Sequence, residues 1–480
     1  MTVELESRRD FSLANVERVA WQREDVAFGA RARERMSECR SAFLRLLENP
    51  DIVVYGVTSG YGQMAGIRLD PAQRRLHASR PPWQSMASFG EPLPERVVRT
   101  IVFARLANYV EGHAAISPGL AEAVAGMLAE DELPPVPFEG NGGAGEVLPL
   151  SHLFAPLGAR HGLEEKDALA LINGSPCAAA LVADAALVMR RRLDLIEDVF
   201  ALSFEALRAP LEHIDPALDE LWGDEDEAAA LAGLRSRLEG SDVRRRSYQA
   251  PVSFRILPRM LGRFRRALRQ AEEAATRSLQ AITDNPVFIA PDAERPDGRV
   301  LSNGGYHNTM AWPAMDELGA ACADLCTLAE RHAAKLLYGP VSHLPDQLRE
   351  GPMDSRYMGC LAMVQVGFGE AARRAAQRTF IPGSESGGFG QNDVATPGFP
   401  AWRGQAEAGR MLDLALAPLA MIASQAMHVT DHQAPPGLSD RLERIRECAP
   451  VLTEGGQPLG PEAQRLADRF REEVLARTEG

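Results

Sequence analysis

A phenol, a guanidinium and several carboxamides stand in glycine-bounded loops of this chain, and these side chains have the most chemistry to offer. Tyr55 lies in Val54-Tyr-Gly-Val-Thr-Ser-Gly-Tyr-Gly62. A phenol has a pKa of ~10 in water, so it moves protons at neutral pH only where positive charge or helix N-termini favour its anion. The alternative is a packed ring with a satisfied hydroxyl. Arg255 closes the segment Gln249-Ala-Pro-Val-Ser-Phe-Arg255, at the start of a helical pattern. Its planar fork can hold a carboxylate bidentately or form an ordinary surface ion pair. Asn173 in Leu171-Ile-Asn-Gly174 and Asn285 in Asp284-Asn285-Pro286 interrupt apolar stretches, and each either caps a helix or meets a ligand.

The densest of these loops is Pro135 to His152, with glycines at 140, 142, 143 and 145. Backbone so free of side chains suits a tight connector or a site where N–H groups face a ligand. Gly140 to Gly145 also fits G-x-G-x-x-G, but that motif needs a strand before it. Leu133 to Glu139 carries three prolines instead, which rules out a central strand. Two further glycine-rich loops, Ser302 to Asn308 and Gly383 to Asp393, carry Tyr306 and Asn392.

Long helices must position these loops. Ala168–Met189 is apolar on most sides, and 193–211, 258–282, 313–337 and 359–378 repeat apolar residues at three- and four-residue steps. Residues 10–48 read as two short helices opened by a capping Ser12, and Asp51 to Gly62 as a short extended segment. The expected fold is mainly α, a long-helix bundle with a smaller loop-rich N-terminal part. Its two units are residues 1–190, carrying the tyrosine and glycine loops, and 191–480, carrying the bundle and C-terminal helices.

A net charge of −14 argues against nucleic acid and anionic membrane as partners. The N-terminus lacks an apolar leader, and no uncharged apolar run reaches the ~20 residues of a membrane span, so a soluble cytoplasmic protein is expected. The cysteines are dispersed. Cys322 and Cys326 lie one helical turn apart without a third ligand nearby in sequence, so packing is expected and no metal.

Taken in order, these motifs resemble the aromatic amino acid ammonia-lyase family, which includes histidine and phenylalanine ammonia-lyases. Val54 to Gly62 resembles its tyrosine loop. Gly90-Glu-Pro-Leu-Pro, Val136-Pro and Pro149-Leu-Ser-His152 resemble the flanks of its electrophile loop. Leu171 to Gly174, Gln249 to Arg255, Thr283-Asp-Asn-Pro286, Leu301 to His307 and Gln391-Asn-Asp-Val394 follow in family order. The resemblance implies an all-α homotetramer with each site built from three chains. It implies Tyr55 as the catalytic tyrosine and Arg255 as the substrate-carboxylate arginine. Asn173 and Asn285 become active-site asparagines, and Gln249 and Tyr306 pocket residues.

The chain also departs from the family. The electrophile there is a methylidene-imidazolone ring made from Ala-Ser-Gly. Gly143-Ala144-Gly145-Glu146 occupies that place one residue short, and the serine is what is missing. Without its hydroxyl the methylidene should not form, and no cofactor is expected. Ser59 and Ser386 offer the nearest imitations, in other loops. Ser85 stands where the family has histidine, Val252 where it has tyrosine, and Asn392 where it has glutamate or glutamine. Ser85, Val252, Trp83 and Phe89 are expected to line the pocket.

The expected function is lyase-type chemistry on a small carboxylated, amino acid-like substrate whose own structure stabilises the carbanion. Tyr55 would move the proton and Arg255 hold the carboxylate. Elimination, addition, isomerisation and cyclisation stay open. Two alternatives stand beside it: a non-catalytic paralogue binding a carboxylated ligand or a partner, and an ordinary ammonia-lyase with another self-modification, such as closure of Asn141-Gly142.

Overall fold

The computed structural model describes residues 2–241, 244–350, 356–384, 390, 392–452 and 457–476. Five long helices form its centre: α1 (Pro176–Ala206), α2 (Leu257–Leu279), α3 (Ala311–Leu337), α4 (Gly359–Ala375) and α5 (Gly398–Val429). α3 lies along α5, with α1, α2 and α4 packed around that pair. The expected long-helix bundle is therefore present.

α2 shows how sequence makes these contacts. Pro258 occupies its first turn, where the missing N–H costs nothing. Leu257, Leu261, Phe264, Leu268, Ala271, Ala275 and Leu279 are all buried, one stripe at helical spacing. Its outer arginines pair with a neighbouring helix, Glu225–Leu238, as in Arg269–Asp226 (2.8 Å) and Arg259–Glu227 (2.8 Å). Such half-exposed pairs contribute about 0.2–1 kcal/mol each, against about 1.5–3 kcal/mol for burying one large apolar side chain, so the stripe decides the packing.

α1 corrects the expected boundaries. The stretch read as one helix from Ala168 breaks after Ile172, at Asn173-Gly174. Gly174 has φ +105, and a Cβ there would sit 2.8 Å from the Thr283 hydroxyl. The chain then re-enters a helix at Pro176 and runs unbroken through 31 residues, across the separately expected start at 193 and the 190/191 division. The segment Asp51–Gly62 is a series of turns in which Val54 O accepts from the N–H groups of Val57, Thr58 and Ser59. Within 10–48, Ser12 caps its helix as expected, but a strand, β2 (Asp25–Phe28), lies between the helices and pairs in parallel with β1 (Thr2–Leu5). α5, the longest helix among the described residues, was not singled out by its pattern.

The main core runs from Val3 to Val474. Cys322 and Cys326 are buried within it on α3, Cys322 against Met189 at 3.7 Å, a packing role. Two helical stretches, Asp167–Ala206 and Gly398–Val429, are long and apolar enough to cross a membrane. Yet 89% and 83% of their apolar windows are buried inside the protein.

Candidate active site

A second, smaller apolar cluster holds the tyrosine loop. Val54 and Val57 are buried with Phe43, Leu46, Leu169 and Phe288, while Tyr55 between them is half-buried. Gly56 has φ +68, and a Cβ there would approach Leu169 Cδ1 to 2.5 Å, so this turn requires glycine. Gly62 N–H donates to the Tyr55 hydroxyl (3.1 Å) and fixes the ring's far end.

The asparagines are fixed by backbone partners. Asn108 Oδ1 accepts from the N–H groups of Thr283 (2.8 Å) and Asp284 (3.0 Å), and Thr283 Oγ1 accepts from Ser175 N–H (3.0 Å). That ties the turn before α1 to the turn after α2. Asn173 Nδ2 donates to Asn285 O, while the buried Arg105 donates to Asn173 O. Asn285 Oδ1 accepts from Asn303 N–H (2.9 Å), which draws in the loop carrying Tyr306.

These loops converge on a cavity of about 510 Å³. Its lining brings together Tyr55, Ser85, Asn173, Asn285, Tyr306 and Asn392, with Gly143, Ala144 and Gly145 along one wall. Gly145 faces the Tyr306 ring: a Cβ built on it would lie 3.7 Å from that ring. Gly143 O accepts from Thr396 N–H (3.1 Å). Asn141 is tied into the loop's stem, donating to Pro137 O (3.1 Å) and Phe138 O (2.9 Å) and accepting from Ser88 Oγ (2.7 Å).

Gln249, Val252 and Arg255 lie outside this cavity. Gln249 and Val252 are exposed, as are Trp83 and Phe89, so the expected pocket roles of Gln249, Val252, Trp83 and Phe89 are not met within one chain. The reason is geometric: the short helix Val252–Arg255 abuts the start of α2, whereas Asn173 and Asn285 sit at the turns beyond the far end of α2 and before α1. Phe254 stacks on His332 (3.7 Å between ring centres), and His332 Nε2 bonds Ser253 O (3.1 Å), so this segment is held rigidly. Arg255 Nε is buried with no hydrogen-bond partner among the described residues. Ser386 and Gln391 lie outside the described residues.

The cavity lining also includes His77, Arg80, Lys166 and Glu146, which sequence reasoning did not assign to the pocket. His77 packs against Tyr61 (5.0 Å between ring centres), and burial pushes its imidazole pKa down. Arg80 lies on the same wall. Lys166, one of two lysines in the chain, bonds Asp284 (2.6 Å) with both side chains fully buried; burial lowers its pKa, partly opposed by Asp284. Glu146 accepts from Cys177 N–H (2.5 Å) and Ala178 N–H (2.7 Å), capping α1 from outside the helix. Burial raises its pKa to about 7, against the opposing pull of those N–H groups. The scarcity of lysine and the charged triplet Glu165-Lys166-Asp167 within an apolar stretch were the available signals.

The order of loops and the shape they build recur in known proteins. A family model described as aromatic amino acid lyase matches residues 11–163 and 159–448. Histidine ammonia-lyase from Geobacillus thermodenitrificans is 30% identical over 373 residues, covering 71% of this chain and 72% of that protein. Its Deinococcus radiodurans counterpart is 28% identical over 479 residues, covering 93% and 90%. Among solved structures, tyrosine aminomutase from Streptomyces globisporus superposes with a TM-score of 0.86 at 24% identity, covering 99% of this chain and 98% of that one. The ergothionase of Treponema denticola gives 0.88 at 19% identity, covering 99% of each chain. Motif order, coverage and fold agree, and the chain belongs to the aromatic amino acid lyase family.

Proposed function

We propose that this protein is a lyase-type enzyme for a small carboxylated, amino acid-like substrate, working without a methylidene-imidazolone. The observation that carries the reading is the cavity where Tyr55 and the carboxamides of Asn173, Asn285 and Asn392 face a glycine loop that has no serine. Membership of the lyase family and its histidine ammonia-lyase relatives support amino acid-like substrates. The family's ring does not fit these residues. The chain passes from Ala144 directly to Gly145 with no serine between them, so there is no hydroxyl to leave and no source for the electrophilic methylidene. Asn141, the one nearby residue able to close on Gly142, has its amide engaged at both ends.

Tyr55 then acts as the proton-transfer group, with its hydroxyl held by Gly62 at the cavity wall. The carboxamides orient the substrate. Arg255 is the carboxylate clamp, delivered by a neighbouring copy in a homotetramer with shared sites. A substrate with an acidic C–H beside a carbonyl or carboxylate needs only a placed base, and such a base contributes about 10²–10⁴-fold.

Intact mass comes first. The mass of the unmodified sequence is expected. Loss of water would reveal a self-made ring and overturn the electrophile-free reading, as would robust conversion of phenylalanine to cinnamate or histidine to urocanate. A panel of small carboxylates with activated C–H bonds should then yield a substrate whose turnover falls at least about 100-fold in Tyr55→Phe while binding persists. Binding without turnover in the wild type would favour the non-catalytic paralogue.

A further inference from the structure

A second cavity, of about 580 Å³, lies behind the glycine loop between the first turns of α5, the middle of α1 and the C-terminal helix Leu459–Leu475. Phe138 and Trp402 stand on its wall, 5.8 Å apart between ring centres, with Val188, Pro94 and Leu475. Five arginines line it (96, 192, 403, 410 and 471) against three carboxylates, Asp184, Glu407 and Asp413. In a chain of net charge −14 this is a local excess of positive charge.

The carboxylates are already engaged. Arg96 and the Trp402 indole N–H both bond Asp184 (2.7 and 3.1 Å), and Arg192 holds Asp413 bidentately (2.7 and 2.8 Å). Glu407 pairs with Arg410 (2.8 Å). That leaves Arg471 exposed at the rim and Arg403 only 3.5 Å from Glu139, its guanidinium over the Phe138 ring. On the same wall, Gln405 is 3% exposed, and its buried side-chain oxygen has no hydrogen-bond partner among the described residues. An unmet amide this deep costs about 1–3 kcal/mol unless something enters to meet it.

We propose that this cavity binds a small organic acid with a flat apolar body and one hydrogen-bonding group. The acid's carboxylate meets Arg403 and Arg471, its body lies against the wall that the Phe138–Trp402 pair forms, and its polar group reaches Gln405. The site is separate from the Tyr55 cavity but close to it along the chain, since Phe138 lines one and Gly140 the other. A ligand there bears on the stem of the glycine loop.

The test is a soak of full-length crystals with 3-bromo-4-hydroxybenzoate, together with calorimetric titration of 4-hydroxybenzoate into the full chain. Bromine density is expected beside Trp402 in the wild type and absent in an Arg403→Glu/Arg471→Glu variant, both substitutions being at exposed positions. Titration should show that variant binding at least about tenfold more weakly at this site. Density confined to the Tyr55 cavity, density beside Trp402 in both proteins, or equal affinity in both would overturn the proposal. So would inorganic phosphate displacing the acid at comparable concentration, because a bare anion would then suffice.

Discussion

At the scale of single residues, Glu146 carries the sharpest consequence. It follows the loop that lacks serine, caps α1 through two backbone N–H groups, and has its pKa raised to about 7 by burial. A carboxyl whose folded pKa lies above its unfolded value favours the folded state below the unfolded pKa, near 4.5. That contribution is lost as pH rises through about 7. Wild-type stability relative to Glu146→Gln should therefore decline between pH 5 and 8, by up to about 3 kcal/mol. Paired thermal melts across that range check it; a gap that does not change with pH would sink the assignment. Lys166 and Asp284 give a contrasting case, because each is fully buried against the other. Lys166→Met should destabilise by about 3–5 kcal/mol, since it strands a buried carboxylate, and adding Asp284→Asn should recover part of that loss in denaturant unfolding.

At the scale of elements, the site depends on turns that only glycine permits. Gly56→Ala puts a methyl group into Leu169 at a left-handed backbone position, so the tyrosine loop must shift. We expect stability to fall by about 1–3 kcal/mol and the proton-transfer rate to fall with it, while folding of the bundle survives by circular dichroism. This dependence explains what was legible. Tyr55, Asn173 and Asn285 were readable because polar groups in such loops have no packing role in a bundle, and Tyr306 and Asn392 through the family resemblance. Lys166, His77 and Arg80 were less so, because they reach the cavity from helix ends and turns without such a pattern. α2 and α3 were readable from their one-sided stripes. α5 was not: burial through most of its length removes the polar face, and Gly404, Gly409 and Pro418 disguise it. α1 seemed to end near Arg190-Arg191-Arg192 because the sequence cannot show that Asp413, far along the chain, will neutralise Arg192. The β1–β2 pairing was equally hidden, as parallel partners carry no local signal.

At the scale of the whole molecule, the question is where Arg255 meets its substrate. Within one chain it lies outside the cavity that holds Tyr55. Phe89 is 81% exposed and Met363 73%, with Val252, Phe380 and Ile381 also open to solvent. Both facts fit an assembly in which one copy covers the cavity mouth of another. Sedimentation should find a tetramer, and Met363→Asp/Phe380→Asp should dissociate it and remove turnover. Complementation tests site sharing itself. Tyr55→Phe and Arg255→Met chains are each expected to be inactive alone. Co-expressed, they should regain up to about a quarter of the wild-type rate, because some sites then draw an intact tyrosine from one chain and an intact arginine from the other. If both residues had to come from the same chain, every mixed site would lack one of them, and co-expression would recover nothing.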